Sequence, residues 1–482
     1  MPKESSSQTN SLLGTPEQLR DPNYTPPIGF AIPLGIQHVL AMFIANVTPA
    51  IIICGAAGFG FGSNSPEFGN MIYMMQMCML LAGITTLLQT IGIGPVGSRL
   101  PIVQGTSFAF IPILIPLVAG QGVAAMAVVT GGVLVGGLVQ AAIAPFVGRL
   151  RFALPPLVTG LIVLMIGLSL LRVGVQYAAG GVPAMNTPAF GSLENWLIAG
   201  VVIATTLGFK FFCKGMLSVS SVLIGLIVGY IVAYMFGQVS FGNVARAGYF
   251  ELPKILPFGI EFTTTAIIGV TLMSLISAIE TVGDVSGITK GGADREATDV
   301  EIKGATFADG LGTAFSSFFG ALPNTSFSQN VGLIAMTKVM SRHVVTFGGI
   351  FLIICGLIPK IGAVIASIPI TVLGGGVIVM FGMVVSSGVK MLADVDWTSR
   401  NMLIFALSVS VGLGLMLEPS ALQHAHPVVK SLLATGLLPA ASIAIVLNLA
   451  IPEEAKADQV NEAVEKAEKA DVSTVEVKEA HA

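Results

Sequence analysis

The chain has 482 residues, of which 54% are hydrophobic and only 10% are charged. Such a sequence has more apolar surface than one water-soluble core could bury, which excludes an ordinary soluble domain and makes the bilayer its solvent. The formal charge is only -3, much of the acidity lies in the C-terminal tail, and no basic surface suggests a nucleic-acid partner.

The N-terminal segment 1–27 is polar and lacks the basic start and apolar centre of a cleaved signal, so we expect insertion to begin with the first spanning helix. Apolar stretches long enough to cross about 30 Å then recur eleven times. They lie near residues 30–54, 72–94, 121–146, 154–173, 194–212, 218–237, 261–283, 344–367, 370–390, 401–418 and 430–450.

Three further apolar stretches are short or broken by proline and glycine, and we count them as half-length or discontinuous spans. They lie near residues 101–118, 304–321 and 323–340. The sequence therefore predicts an all-α integral membrane protein with about fourteen transmembrane spans. The tail 452–482 is rich in Glu, Lys, Ala and Val, and we expect it to be solvated, either disordered or loosely helical.

Basic residues are distributed unequally between the predicted loops. With the N-terminus inside, the outer loops carry only Arg172, Arg246, Lys254, Lys360 and Lys430. The inner loops carry Arg99, Arg149, Arg151, Lys210, Lys214, Lys290, Arg295, Lys303, Lys338, Arg342, Lys390 and Arg400. This bias and an even number of spans predict that both termini are cytoplasmic.

Two interrupted segments, 101–110 and 321–330, share the triplet Thr-Ser-Phe although they lie in opposite halves of the chain. A three-residue match can arise by chance. Each segment, however, is third among the seven spans of its half, and an odd number of spans would invert one half relative to the other. Irregular backbone at membrane depth is tolerated where it lines a wet cavity, so the two breaks point to one central site of a secondary carrier.

An ionisable group inside a span costs about 2.5–3.5 kcal/mol on insertion scales, so each one requires a reason. Glu280 and Asp284 are one helical turn apart near the end of the eighth span, which places both carboxylates on one face. They will not both ionise easily, and at least one could exchange a proton near neutral pH. The alternative for Asp284 is that it lies at the cytoplasmic interface and begins the following loop.

Three other polar residues in the apolar stretches are candidates for a functional role. The amide of Gln329 offers a donor beside an acceptor, which complements the edge of a nucleobase; an interhelical hydrogen bond is the alternative. His38, in the first span, could relay protons or orient a neighbour. Asp309, at the predicted start of the ninth span, could cap an interrupted helix or join the proton path. The four cysteines lack metal-site spacing, and no cofactor or enzyme motif is apparent.

These residues resemble the nucleobase-ascorbate transporters, also called nucleobase:cation symporters 2, over about residues 28–450. The most specific element is Gln329-Asn330-Val331-Gly332 with Thr337-Lys338, which is similar to the family signature. The supporting elements are Gln37-His38, Gln104 to Phe110, Glu280 with Asp284, and Asp309.

The resemblance implies two inverted seven-span repeats, with short strands before half-helices three and ten. It implies a core domain from residues 28–146 and 261–367, with spans 1–4 and 8–11. The gate domain comprises residues 147–260 and 368–451, with spans 5–7 and 12–14. The core is expected to move against the gate as an elevator, within a homodimer in the bacterial inner membrane.

The resemblance also implies the site. Glu280 and Gln329 would hold the substrate, Phe108 would stack on its ring, and backbone near Ser328 would add a hydrogen bond. Asn330, Asp309 and His38 would support affinity and transport. The expected activity is symport of a proton with an oxidised purine, because Gln329 resembles the xanthine and urate carriers. Val331 departs from many xanthine carriers, which leaves urate and xanthine both open. The alternatives are a uracil or broad nucleobase permease and an anion transporter of the same fold.

Overall fold

The computed structural model describes residues 14–59, 66–150, 155–239 and 241–452, except for the side chains at positions 149, 150 and 243. Residues 1–13 of the predicted cytoplasmic segment and residues 453–482 of the predicted tail lie outside the described residues. The described part is built of helices, with two short strands that pair with each other.

The first half of the chain contains one strand, β1 (Gln104–Thr106). Its helices are α1 (Pro16–Arg20), α2 (Ile28–Ala57), α3 (Phe68–Ile91), α4 (Ile111–Val118), α5 (Ala125–Ile143), α6 (Val147–Leu150), α7 (Pro156–Ala178), α8 (Leu193–Phe212), α9 (Met216–Val219), α10 (Ser221–Met235) and α11 (Gly242–Arg246).

The second half also contains one strand, β2 (Asn324–Ser326). Its helices are α12 (Thr264–Ala293), α13 (Asp299–Ser317), α14 (Ser328–Thr337), α15 (Arg342–Gly356), α16 (Pro359–Ala366), α17 (Ile370–Leu392), α18 (Ser399–Leu417), α19 (Pro427–Leu433) and α20 (Leu437–Ala450).

Helices occupy all eleven of the long apolar stretches predicted from the sequence. Within the described residues, eight of them are long and apolar enough to cross a membrane, namely α2, α3, α5 with its following turn, α7, α8, α12, α17 and α18. Two other stretches are not single straight helices, since α15 with α16 and α19 with α20 each bend by 81°. The eleventh, α10, has only 15 residues.

The expectation that residues 304–321 form a discontinuous span is wrong, because α13 is continuous from Asp299 to Ser317. Thr298 caps its start, and the side chain of Glu301 completes a capping box. The glycines in this helix allow close packing rather than breaking it. A Cβ atom at Gly310 would lie 2.3 Å from the amide nitrogen of Ala141 in α5, closer than van der Waals contact permits.

The two strands predicted before the half-helices are present and pair with each other. They run antiparallel, with Gly105 opposite Thr325, and all six of their residues are buried. Flanking hydrogen bonds extend the pairing, from the amide of Ser107 to the carbonyl of Pro323 at 2.9 Å and from Phe327 to Val103 at 3.1 Å. The pairing brings the starts of the short helices α4 and α14 together inside the bundle.

The long helices pack in two groups. In one, α3 packs on α15, and α5 packs on both α12 and α13. In the other, α7 and α8 pack on α17, α8 on α10, and α18 on α20. Glycine allows close approach in the second group too, since a Cβ atom at Gly374 would lie 2.1 Å from the amide nitrogen of Ala178. The two strands belong with the first group, and their ends face the second.

Candidate functional site

A cavity of about 320 Å³ lies between the two groups of helices, where the paired strands end. One wall is formed by residues of α2, the β1–α4 connection, α12, β2 and α14, and the facing wall by residues of α7, α8, α9, α10 and α17. The lining residues are Ala41, Thr106, Phe108, Ala109, Val163, Ile166, Lys210, Ser218, Val219, Ser221, Val222, Glu280, Thr325, Ser326, Phe327, Ser328, Gln329, Gly332, Leu333, Met336, Met383, Val384 and Ser387.

Four of the sequence-predicted site residues, Glu280, Gln329, Phe108 and Ser328, meet in this cavity. Glu280 is half-buried in the middle of α12. Ser328 and Gln329 are the first two residues of α14, which begins directly after β2. A carboxylate and a primary amide thus share one wall, which offers both acceptors and donors to a ligand.

Phe108 lies in the short connection between β1 and α4 and lines the cavity. Its ring and that of Phe381 in α17 meet edge to face, with the ring centres 5.4 Å apart and the planes at 90°. Such edge-to-face contact is a favoured aromatic geometry. The pair crosses the boundary between the two helix groups, so one aromatic side chain is in contact with both walls of the site.

Asp284 is one turn beyond Glu280 and supports the site from behind. It is only 7% exposed, and its carboxylate accepts hydrogen bonds from the hydroxyls of Ser326 at 2.6 Å and Ser328 at 2.8 Å. The alternative that Asp284 begins a cytoplasmic loop is wrong, because α12 continues to Ala293. The carboxylate joins α12 to β2 and to the first residue of α14.

Asp309 lies in the middle of α13 and is fully buried. Its predicted position at the start of a span and its proposed capping role are therefore wrong, since Thr298 caps this helix. The carboxylate instead accepts hydrogen bonds from the amide of Gln89 in α3, at 2.8 Å, and from the hydroxyl of Thr281. Thr281 follows Glu280, so Asp309 holds the cavity-lining segment of α12 against α3 and α13.

His38 and Asn330 form a third buried link. The Nδ1 of His38 is hydrogen-bonded to the side-chain oxygen of Asn330, and the amide nitrogen of Asn330 donates to the carbonyl of Pro101 at 2.5 Å. These contacts join α2, α14 and the segment before β1. Neither residue belongs to the described lining of the cavity, and both fix the frame around it.

Several contacts of the site could not be anticipated from the sequence. Gln89, Thr281 and Ser326 hold the buried carboxylates, and their only sequence signal is a polar side chain in or beside an apolar stretch. Lys210, predicted as an ordinary loop lysine, lines the cavity. With Glu280 it makes up the charged side chains in the described part of the lining.

A family model described as "Permease family" matches residues 29–421. A putative purine permease of Clostridium perfringens is 35% identical over 419 residues, covering 87% of this chain and 90% of its own. The xanthine permease XanP of Escherichia coli is 33% identical, covering 89% of this chain and 93% of its own. The uric acid permease PucJ of Bacillus subtilis is 34% identical, with coverages of 86% and 91%.

Solved structures with a similar fold are membrane transporters. The transmembrane domain of the cyanobacterial bicarbonate transporter BicA has a TM-score of 0.55 at 12% identity and covers 87% of this chain and 98% of its own. The murine anion transporter Slc26a9, in an inward-facing state, has a TM-score of 0.58 at 12% identity and covers 94% of this chain and 72% of its own. At such identity the likeness concerns the fold alone.

Proposed function

Because the chain belongs to the nucleobase-ascorbate transporter family, whose members are permeases rather than enzymes, we propose that it imports urate or xanthine together with a proton. The observation that carries this proposal is the meeting of Glu280, Gln329 and Phe108 in one cavity. The names of the relatives, which include xanthine and uric acid permeases, favour an oxidised purine over a pyrimidine.

The chemistry of the lining suits a flat base with alternating donors and acceptors. The protonated carboxyl group of Glu280 can accept from a ring N–H at one oxygen and donate from the other, and the amide of Gln329 can both donate to an oxo group and accept from an N–H. Phe108 offers an aromatic surface, and Val163, Ile166, Val222 and Leu333 add apolar side chains to the lining. A small-molecule site of this kind needs only a few polar groups placed around an apolar pocket.

Glu280 is also the group that we propose couples the proton to the substrate. It is a carboxylate in a membrane-spanning helix, with a second carboxylate, Asp284, one turn away. Burial and a neighbouring like charge both favour the neutral form of a carboxylic acid. In the proposed cycle, Glu280 takes a proton from the outer side, the purine then binds, and both are released inward.

We further propose that the protein moves as an elevator. The core would comprise residues 28–146 and 261–367, and the gate residues 147–260 and 368–451. Two observations support this division. The helices pack in two groups, and the contacts are paired in the way that two inverted seven-span repeats require: α3 on α15 corresponds to α13 on α5. A homodimer in the inner membrane with both termini cytoplasmic completes the proposal.

The structural neighbours raise anion transport as an alternative, since they are anion or bicarbonate transporters. A bare anion would favour a positively charged site between the starts of the two half-helices. The cavity instead places Glu280 there, and a carboxylate would repel an anion unless it is protonated. The same lining could also bind uracil or several nucleobases. Competition between labelled purines and unlabelled uracil distinguishes such a permease from our proposal.

The test is uptake of labelled urate and xanthine by cells that express the chain, with empty-vector cells as the background. Each purine is competed with unlabelled uracil, and each assay is repeated with a protonophore. We expect uptake of at least one purine that uracil does not inhibit and that collapses with the protonophore. Uptake of uracil would favour the broader permease, and uptake indifferent to the protonophore would contradict proton coupling.

A further inference from the structure

The cavity extends beyond the predicted substrate contacts toward the C-terminal ends of α8, α14 and α17. At this end the lining includes Lys210, Ser218, Ser221, Met336 and Ser387. Lys210 is the cationic side chain of the described lining. It forms no ion pair with a carboxylate in the described part of the chain, so its ammonium is available to a ligand.

The backbone of Lys210 is held in place rather than carried on a loop. Lys210 lies in the last turn of α8, and the hydroxyl of Ser218 donates a hydrogen bond to its carbonyl at 3.0 Å. Below it, α8 and α10 pack so closely that a Cβ atom at Gly225 would lie 2.0 Å from the hydroxyl of Thr206. The lysine stem therefore starts from a fixed point on the cavity wall.

We propose that Lys210, with the hydroxyls of Ser218, Ser221 and Ser387 nearby, forms a second purine position that holds the anionic form of the substrate. This inference rests on the proposed function and adds the charge state of the substrate to it. Urate is a monoanion at neutral pH because its three oxo groups acidify the ring N–H, whereas hypoxanthine, with one oxo group, is neutral. An ammonium attracts the anion more strongly than the neutral base. The hydroxyl of Ser221 can donate to an oxo group, whereas those of Ser218 and Ser387 already donate to the carbonyls of Lys210 and Met383.

The two positions respond differently to the charge on Glu280. An ionised Glu280 repels a purine anion, so the first position, formed by Glu280 and Gln329, accepts the anion only when Glu280 carries a proton. Lys210 attracts the same anion whether or not Glu280 is protonated. The second position lies between the first position and the membrane surface. It would therefore keep urate within the cavity after Glu280 has lost its proton.

The test is equilibrium binding of labelled urate and of labelled hypoxanthine to the purified full chain in detergent. We compare wild type with Lys210→Gln, Lys210→Arg and Lys214→Gln. Lys214 is the matched control, because it follows Lys210 by four positions, just beyond the end of α8, is exposed and is not in the described lining. Size-exclusion profiles verify that each variant is folded.

We expect Lys210→Gln to weaken urate binding by about two- to fivefold, the range for an accessible ion pair, and to leave hypoxanthine binding within error. Lys210→Arg should retain the wild-type ratio of urate to hypoxanthine affinity, and Lys214→Gln should retain it too. Added salt should weaken urate binding more in wild type than in Lys210→Gln, because screening acts on the ion pair.

Two results would overturn this inference while leaving the proposed function intact. One is an equal loss of urate and hypoxanthine binding in Lys210→Gln, which would indicate a general effect on the cavity. The other is an equal loss of urate binding in Lys214→Gln, which would indicate surface charge alone. If wild type bound neither urate nor, in the same assay, labelled xanthine, the proposed function itself would fail, and this inference with it.

Discussion

The side chain of Asn330 is hydrogen-bonded to His38, although 292 positions separate the two residues. Its amide nitrogen is at the same time bound to the carbonyl of Pro101. Asn330 follows Gln329, so the residue that fixes the frame of the site is next to a residue that faces the substrate cavity. Any displacement of Asn330 should therefore move Gln329 as well.

We predict that Asn330→Ala lowers the free energy of unfolding by about 1–3 kcal/mol, because it leaves His38 and the carbonyl of Pro101 without their buried partner. Thermal unfolding in detergent measures the effect, and purine uptake should fall in parallel. The control is Asn70→Ala, which removes a hydrogen bond to Glu67 near the surface. An unchanged melting temperature in Asn330→Ala would contradict the buried link.

His38→Ala provides a second test of the hydrogen bond between His38 and Asn330. If the two side chains act as one unit, the double variant His38→Ala/Asn330→Ala should lose less stability than the sum of the two single variants. The deviation from additivity should fall in the range of about 0.5–3 kcal/mol typical of contacting residues. Strict additivity would mean that the two side chains contribute independently.

Gln329→Glu should change which base is carried. The substitution keeps the shape of the side chain but replaces the amide donor with a second acceptor, so a purine oxo group facing it loses its partner and meets a carboxylate. Loss of this donor leaves the oxo group of the bound purine unpaired, and we expect uptake of urate and xanthine to fall by at least about tenfold. Competition assays with a panel of nucleobases measure the change.

The same assays include a control variant, and one of their results would contradict the prediction. Gln121→Glu introduces the same chemical change at an exposed position outside the described lining of the cavity. Wild-type selectivity in Gln329→Glu would mean that the amide does not face the substrate. A general loss of uptake for all bases, matched by a loss of protein in the membrane, would be a folding effect, so membrane levels are measured alongside.

The family and most of the helices could be predicted from the sequence, because long apolar stretches and the signature beginning at Gln329 are local patterns. The roles of the glycines could not be predicted from the sequence. In α13 the glycines near Gly310 looked like breaks, since a glycine in a helix is locally unfavourable. Their effect depends on α5, a distant segment whose backbone approaches Gly310 too closely for any side chain.

The positions of the acidic residues were only partly predictable, for the same reason. Their residue types and their presence in apolar stretches identified Glu280, Asp284 and Asp309 as candidates. Their depth depends on where helices begin and end, and α12 extends to Ala293, beyond the apolar stretch. The partners of Asp309, such as Gln89, come from segments remote in the chain, which periodicity cannot bring together.

Gly310→Ala tests the close approach of α13 and α5. Alanine is the better helix former, so propensity alone would stabilise the helix by about 1 kcal/mol. The added methyl group, however, meets the backbone of Ala141, and overpacking of this kind costs typically about 1–3 kcal/mol. We therefore expect a lower melting temperature. Gly208→Ala in α8, where the added atom meets nothing within 4 Å, should leave it unchanged or raise it.

Glu280→Gln separates proton coupling from binding. Glutamine keeps the size of the side chain and can hydrogen-bond a base, but it cannot release a proton. We expect the variant to lose accumulation of purine against a gradient and to retain exchange of labelled for unlabelled purine across proteoliposomes. Exchange needs no net proton movement, so the two assays distinguish a lost proton carrier from a lost binding site.

The control for Glu280→Gln is Glu261→Gln, an exposed glutamate just before α12 that should leave both assays as in wild type. If Glu280→Gln still accumulated purine as wild type does, another group would have to carry the proton. Asp284 and Asp309 would then be next, but both are held by hydrogen bonds behind the cavity. Glu280 has the more direct access, because among these three carboxylates it is the one in the described cavity lining.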